Sequence, residues 1–215
     1  MKMTDKNKKI FYKNQAESII KKLKLRKMEG FYVDTMDEAT QKVLELLGQG
    51  SKTVCYGGSM TLDNSDIKAR IKEKGHDLII REDAATDEEV KQLKSRMINA
   101  DAFLMSTNAI TLDGELINID GRGNRVSYLI YGPDRVFVIA GMNKVVKDVD
   151  EGISRTRNIA SPANTVRLNR DTPCAKAGRC GDCLENTICC QIVITRCSMI
   201  PGRITVILVG EELGY

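Results

Sequence analysis

Residues 51–80 read SKTVCYGGSMTLDNSDIKARIKEKGHDLII, and this stretch decides the fold class. It begins with a short apolar run at 51–56, which is typical of a buried strand. A pair of glycines ends that run, and residues 59–74 carry apolar side chains at helical spacing. A second apolar run, at 76–80, follows Gly75. A strand, a helix and another strand in this order predict a parallel sheet covered by helices.

The same alternation continues on both sides of this unit. Residues 35–38 and 86–89 each form a Thr-x-x-Glu capping box, in which the threonine hydroxyl bonds an amide of the first helical turn and the glutamate reaches back. Further strands are predicted at 102–106, 116–119, 136–140 and 204–209, and further helices at 5–27, 36–47, 87–99 and 145–159. We therefore predict an N-terminal helix within residues 1–30, followed by an α/β domain over residues 31–215 whose mostly parallel sheet is flanked by helices.

The composition excludes several classes of protein. Hydrophobic residues make up 42% and charged residues 29% of the 215-residue chain, which is enough for a core. A net charge of +4 is too small to argue for nucleic-acid binding. No window approaches about 18 uninterrupted apolar residues, so no membrane span is expected. The N-terminal residues carry charge but no apolar stretch of the kind found in secretory signals, so we expect a cytoplasmic location.

A ligand site is predicted at the carboxyl edge of the sheet. Gly57, Gly58 and Ser59 follow a predicted strand and precede a helix, so the backbone can approach a ligand and its free amides favour an anion. Asn108 follows another strand. A third loop adds flexible backbone and guanidinium groups that suit carboxylate or phosphate; it consists of Gly121, Arg122, Gly123, Asn124 and Arg125. A tight turn and a solvated basic hairpin are the alternative interpretations, and we expect the three loops to bind a small anionic metabolite.

Few residues are candidates for acid–base or nucleophilic catalysis. Glu115 is the candidate acid, base or nucleophile, and a surface charge is the alternative interpretation. His76 is the sole histidine and precedes a strand away from the predicted ligand loops, so we expect a surface or partly buried residue rather than a catalyst. With no Ser–His or Cys–His pair in prospect, triad hydrolysis is disfavoured.

The seven cysteines are the unusual feature of the composition, and six of them lie between residues 174 and 197. Disulfides, a metal site and idle thiols are the three interpretations, but stable disulfides are rare in a reducing cytosol. Four of the thiols have spacings that can aim sulfurs at one zinc ion or iron–sulfur cluster: Cys174, Cys180, Cys183 and Cys189. They lie in a Cys-rich loop, 171–199, before the final predicted strand. Cys190 is a spare thiol or a competing ligand, whereas Cys55 and Cys197 are predicted core residues.

Several motifs form a recognisable set. They are YGGSMTL at 56–62, GNRVS at 123–127, SPANTVRLNRDTPC at 161–174, and the cysteine spacing that follows. Together they resemble the LUD-domain (lactate utilisation, formerly DUF162) family, and the resemblance covers nearly the whole chain from about residue 10. It implies a fold similar to the NagB/RpiA/CoA-transferase-like proteins.

The resemblance also implies a function. Members of the family include lactate utilisation proteins B and C, which take part in oxidising L-lactate to pyruvate together with iron–sulfur proteins. Relatives with this thiol motif carry the same four cysteines, whereas the residue matching Cys190 is usually asparagine. This chain has no eight-cysteine ferredoxin module. We therefore expect an accessory or redox component of organic-acid utilisation, with an iron–sulfur cluster or zinc and with iron–sulfur redox proteins as partners.

Two other functions stay open at this point. The chain could be a non-catalytic ligand-sensing or assembly protein, in which a structural zinc pins the C-terminal loop to the sheet. It could also be a metal-independent isomerase or transferase that uses Glu115 and the glycine loop. Finally, an apolar stripe on the N-terminal helix leads us to expect packing on a second subunit, and hence a homodimer.

Overall fold

The computed structural model describes residues 6–80 and 84–215, and in them the chain forms two sheets flanked by helices. The strands are β1 (Glu29–Val33), β2 (Thr53–Tyr56), β3 (Asp77–Ile79), β4 (Ala102–Met105), β5 (Ala109–Thr111), β6 (Leu116–Asp120), β7 (Arg135–Gly141), β8 (Val145–Val146), β9 (Gln191–Thr195) and β10 (Ile204–Val209). The α-helices are α1 (Lys6–Leu25), α2 (Met36–Leu47), α3 (Met60–Asp63), α4 (Ile67–Glu73), α5 (Asp87–Ile98), α6 (Asn124–Ile130), α7 (Val149–Arg155), α8 (Ser161–Arg167) and α9 (Pro173–Ala177). A 3₁₀ turn, Met142–Lys144, follows β7, and a π-helical turn, Thr156–Ala160, joins α7 to α8.

The main sheet confirms the predicted fold class. Its strand order in the described residues is β1-β10-β7-β4-β2-β3, and every neighbouring pair is parallel. Every residue of β4 and β10 is buried, as are all but the first residue of β7. Strands covered on both faces have continuous apolar sequences, which is why these runs were recognisable.

A smaller sheet, of order β8-β5-β6-β9 in the described residues, stands beside the main one. β6 pairs antiparallel with both β5 and β9, and β5 pairs parallel with β8. The sequence predicted β6 but not the other three strands. β9 lies within the Cys-rich segment 171–199, which also contains α9, so that segment is more ordered than a loop.

Two predicted helices differ in the structure, and a third agrees with its prediction. The helix predicted at 59–74 is two helices, α3 and α4, separated at residues 64–66. The helix predicted at 145–159 starts only at α7, because β8 pairs with β5 and the Asp148 carboxylate then caps the helix by accepting the Glu151 amide. At α5 the predicted capping box is present in full, with Thr86 and Glu89 bonded reciprocally.

The cysteines and the histidine outside the thiol motif have structural positions. Cys55 is fully buried, which confirms the core prediction. Cys197 is exposed, so the core prediction for it was wrong; it lies beyond the end of β9. His76 is buried, and its Nδ1 accepts a hydrogen bond of 3.2 Å from the Lys52 amide. This bond joins the residues just before β2 and β3.

The apolar stripe of α1 is buried within the same chain. Ala16, Ile19 and Leu23 are fully buried, and the helix packs against β1. This packing is close: a Cβ on Gly30 of β1 would lie 2.9 Å from the Leu23 side chain. The homodimer therefore stays a prediction without the support of an exposed stripe. Nowhere in residues 6–80 and 84–215 is a helix both long and apolar enough to cross a membrane.

Candidate functional site

A cleft of about 710 Å³ lies at the carboxyl edge of the main sheet. Ligand-binding clefts commonly lie at this edge and have this size. The loops that follow β2, β4, β6 and β7 line it together with α8 and the residues just before Cys189. The lining residues are Gly58, Ser59, Met60, Thr61, Ser106, Thr107, Asn108, Ile119, Asp120, Gly121, Arg122, Arg125, Lys144, Ala160, Ser161, Asn164, Arg167, Leu168, Arg170, Thr187, Ile188 and Tyr215.

Six of the nine residues predicted to bind a ligand line this cleft: Gly58, Ser59, Asn108, Gly121, Arg122 and Arg125. Gly57, Gly123 and Asn124 do not. At Gly57, a Cβ would lie 2.9 Å from the Phe103 ring, so the missing side chain allows the turn to pack on the core. Gly123 has φ of +75°, which suits glycine, and it precedes the first residue of α6.

Arg125 is bonded to the protein rather than open to a ligand. Its side chain is 13% exposed, and its Nη2 lies 3.0 Å from the Asp120 carboxylate. The guanidinium acceptors are Asp120 Oδ1, Ser106 O, Asn118 Oδ1, Asn108 Oδ1 and Ile119 O. These five bonds use all five N–H groups of the side chain. The Asp120 carboxylate also accepts hydrogen bonds from the backbone amides of Arg125 and Val126, in the first turn of α6. Arg125 therefore fixes the ends of β4 and β6 beside the cleft.

Lys144 is the functional candidate that the sequence analysis missed. Its side chain lines the cleft although the residue is only 3% exposed. Nζ donates hydrogen bonds of 2.9 Å to Thr61 Oγ1 and to Ser106 Oγ, and no carboxylate within the described ranges forms an ion pair with it. Burial is the larger cause and the charges of Arg155 and Arg125 the smaller one, and together they lower the pKa of Lys144 to about 7. A lysine soon after a buried strand, at the ligand-binding edge, was the sequence signal available.

The charge of the cleft is strongly one-sided. Among the described lining residues, the cationic side chains are Arg122, Arg125, Lys144, Arg167 and Arg170. The one acidic side chain among them is Asp120, and Arg125 already neutralises it. Arg155 stands behind the lining and donates to the carbonyls of Asn108 and Asn143. The surplus positive charge favours an anionic ligand.

Glu115 lies outside this cleft. It follows the turn between β5 and β6, where its carboxylate lies 3.2 Å from Arg26 Nη2. The Thr111 hydroxyl donates to the same carboxylate at 3.2 Å. These contacts tie the residue that follows α1 to the smaller sheet.

One of the four motif thiols, that of Cys189, lies next to the cleft. Cys189 Sγ lies 3.4 Å from the hydroxyl of Ser161, which is itself a lining residue. Burial raises the pKa of Cys189, and the charges of Cys174, Cys180 and Cys183 raise it further.

The donor set has the chemistry that zinc or an iron–sulfur cluster requires, since all four are free thiols on one short segment. Cys180 Sγ accepts hydrogen bonds from Arg157 Nε at 3.3 Å and from the Asp182 amide at 3.4 Å. The side chains are not drawn together, however: within residues 6–80 and 84–215, no three His, Cys, Asp or Glu groups are placed to hold a metal ion. Cys190 is exposed.

The fold and the cleft define an α/β protein that presents a positively charged site at the carboxyl edge of a parallel sheet. The LUD domain model matches residues 16–209. The chain therefore belongs to the LUD-domain family, which is associated in general with lactate utilisation.

One solved structure has a fold similar to this one. A DUF162 family protein from Deinococcus radiodurans has a TM-score of 0.53 and 18% sequence identity, over 94% of this chain and 98% of that one. A more distant likeness is to eIF2B beta from Chaetomium thermophilum, with a TM-score of 0.33 and 14% identity, over 66% of this chain and 46% of that one. The first similarity supports the fold alone, and the second is too weak to bear on it. No curated protein matches the chain.

Proposed function

We propose that this protein binds a small anionic metabolite in the cleft and serves as an accessory or redox component of organic-acid utilisation. The observation that carries the proposal is the one-sided charge of the lining, in which the sole described acidic side chain is paired with Arg125. Membership of a family associated in general with lactate utilisation supports a small carboxylic acid as the proposed ligand. Arginine side chains recognise carboxylates through paired hydrogen bonds.

Removing two cleft arginines is expected to weaken anion binding at least about tenfold, because each charge-assisted hydrogen bond contributes about 1.5–3 kcal/mol. The double variant Arg122→Met/Arg167→Met tests this with L-lactate, pyruvate and phosphate as probes, measured by calorimetric titration. The matched control is Lys91→Met/Lys147→Met, which removes two cations that do not line the cleft. Equal dissociation constants in the two double variants would contradict the proposal.

We further propose that Cys174, Cys180, Cys183 and Cys189 hold an iron–sulfur cluster or a zinc ion beside the cleft. An iron–sulfur cluster would supply electron transfer, with iron–sulfur redox proteins as partners. The thiol chemistry and the position next to Ser161 support the proposal.

Anaerobically purified protein is expected to contain iron or zinc, and Cys180→Ser/Cys183→Ser is expected to lose nearly all of it. Elemental analysis and the visible spectrum measure the content and the kind of metal. Cys197→Ser is the control, because Cys197 is an exposed thiol outside the motif, and it should retain the metal. A colourless protein without iron would rule out the cluster and leave zinc. Metal retained in the double variant would reject the site itself.

The same variants distinguish the two alternative functions. A ligand-sensing or assembly protein with structural zinc would lose its fold in Cys180→Ser/Cys183→Ser, because metal binding contributes directly to folding free energy. A metal-independent isomerase or transferase would keep its turnover in that variant and after chelation. Glu115 lies outside the cleft, so the cleft geometry does not support the isomerase or transferase alternative.

A further inference from the structure

Lys144 has the surroundings of a nucleophilic amine. Its Nζ is buried at the carboxyl edge of the sheet, at 2.9 Å from the hydroxyls of both Thr61 and Ser106. The positive charges of the Arg125 and Arg155 guanidinium groups disfavour its protonated form, and no described carboxylate pairs with it. An ammonium group buried without a counter-ion is disfavoured. Lysines that react with carbonyl compounds are activated in this way, by desolvation or by a neighbouring cation.

We propose that Lys144 captures a small 2-oxo acid as an imine between Nζ and the ketone carbon. The inference rests on the proposed binding of a small carboxylic acid in the cleft, and it specifies the class of acid. A 2-hydroxy acid offers no carbonyl carbon for this reaction, whereas a 2-oxo acid offers one directly beside its carboxylate.

The two ends of a 2-oxo acid match different parts of the site. The carboxylate would be held by the cleft arginines, of which Arg122 and Arg167 are available because the N–H groups of Arg125 are already used. The ketone oxygen would lie near the hydroxyls of Thr61 and Ser106, which already contact Nζ. Both hydroxyls can donate and accept a proton.

The reaction is balanced without any further reactant. The lone pair of the neutral Nζ forms a bond to the ketone carbon, and the carbonyl electron pair moves to oxygen, which takes up a proton as nitrogen releases one. The resulting carbinolamine loses its hydroxyl group and the remaining N–H proton as water, and a C=N bond forms. Neither oxidation nor reduction takes place. The adduct can be hydrolysed by the reverse steps.

Borohydride trapping tests the inference on the full chain. With pyruvate and borohydride at pH 7, intact mass spectrometry should show one carboxyethyl group added to the protein, and peptide mapping should place it on Lys144. We expect labelling of Lys144 at least about tenfold above that of Lys147, whose side chain is exposed and lies outside the cleft. Omission of borohydride should leave the mass unchanged.

Lys144→Arg separates this inference from the proposed function, because it keeps a cation in the cleft but cannot form an imine. We expect this variant to bind pyruvate within about tenfold of the parent and to give no adduct at that peptide. Binding by the parent without a Lys144 adduct, tried with pyruvate, glyoxylate and 2-oxobutyrate, overturns the imine and leaves the anion site intact. Failure of all three acids and of L-lactate to bind, again without an adduct, overturns both. Labelling spread evenly over the lysines also overturns the imine.

Discussion

Replacing Arg125 with methionine is expected to destabilise the protein by about 3–5 kcal/mol, the range found when one partner of a buried ion pair is removed. The loss comes from the groups that the guanidinium leaves behind. Asp120 would lose its counter-charge, and the side-chain oxygens of Asn108 and Asn118 would lose a donor. Methionine can fill much of the space but donates no hydrogen bond, so the buried side-chain oxygen of Asn118 loses its donor and Asp120 keeps only backbone amides as partners.

Urea unfolding followed by circular dichroism measures this change, and Arg122→Met is the matched control. Arg122 lies in the same loop and lines the same cleft, but it is exposed. Its removal is expected to change the free energy of unfolding by no more than about 0.5 kcal/mol. If the two variants unfold at the same urea concentration, the five bonds of Arg125 do not hold the strand ends together as the geometry indicates.

The parts of the fold that sequence reasoning recovered are those with a strong local signal. β7 and β10 are buried on both faces, so their sequences are continuous apolar runs that no surface segment would carry. The capping box at Thr86 and Glu89 is equally local, since it satisfies amides of its own first turn. In each of these cases the energetic reason for the structure lies within a few residues.

The strands that were missed depend on distant partners. β5 and β8 have three and two residues, and each is held by pairing with the other, across more than 30 positions of sequence. β1 contains Gly30, a residue type that weakens strands, yet β1 pairs along its whole length with β10 near the other end of the chain. Short strands of this kind carry too few residues for a periodic pattern.

The candidate site likewise contains some features that the local sequence predicts and others that depend on tertiary contacts. Glycines at the end of β2 and the arginine pair at 122 and 125 were predictable, because both depend on residue type and on position after a strand. That the N–H groups of Arg125 are all used within the protein depends on five acceptors from two separate segments, 106–108 and 118–120. The importance of Lys144 likewise comes from tertiary burial, which a single lysine in MNKVV does not signal.

The second large expected effect is a pH dependence of stability that belongs to Lys144. Relative to Lys144→Met, the parent protein is expected to gain about 2–3 kcal/mol of unfolding free energy between pH 7 and pH 9. Burial lowers the pKa of Lys144 to about 7 in the folded protein, against 10.5 as its ordinary value. At a pH between these two pKa values, the unfolded chain binds up to one more proton than the native protein. The free energy of unfolding therefore rises with pH in this interval and falls again as the pH drops towards 7.

Parallel urea titrations at pH 6, 7, 8 and 9 measure the effect as the difference between parent and variant. Taking the difference removes the contributions of groups common to both proteins. Cys55 is one of these: burial raises its pKa to about 12, so near pH 9 and above it acts in the opposite direction, because the unfolded thiol loses its proton first. Lys147→Met, which removes an exposed amine, should follow the parent at every pH. A constant difference between the parent and Lys144→Met would mean that Lys144 stays protonated in the fold, which would remove the neutral amine that imine formation requires.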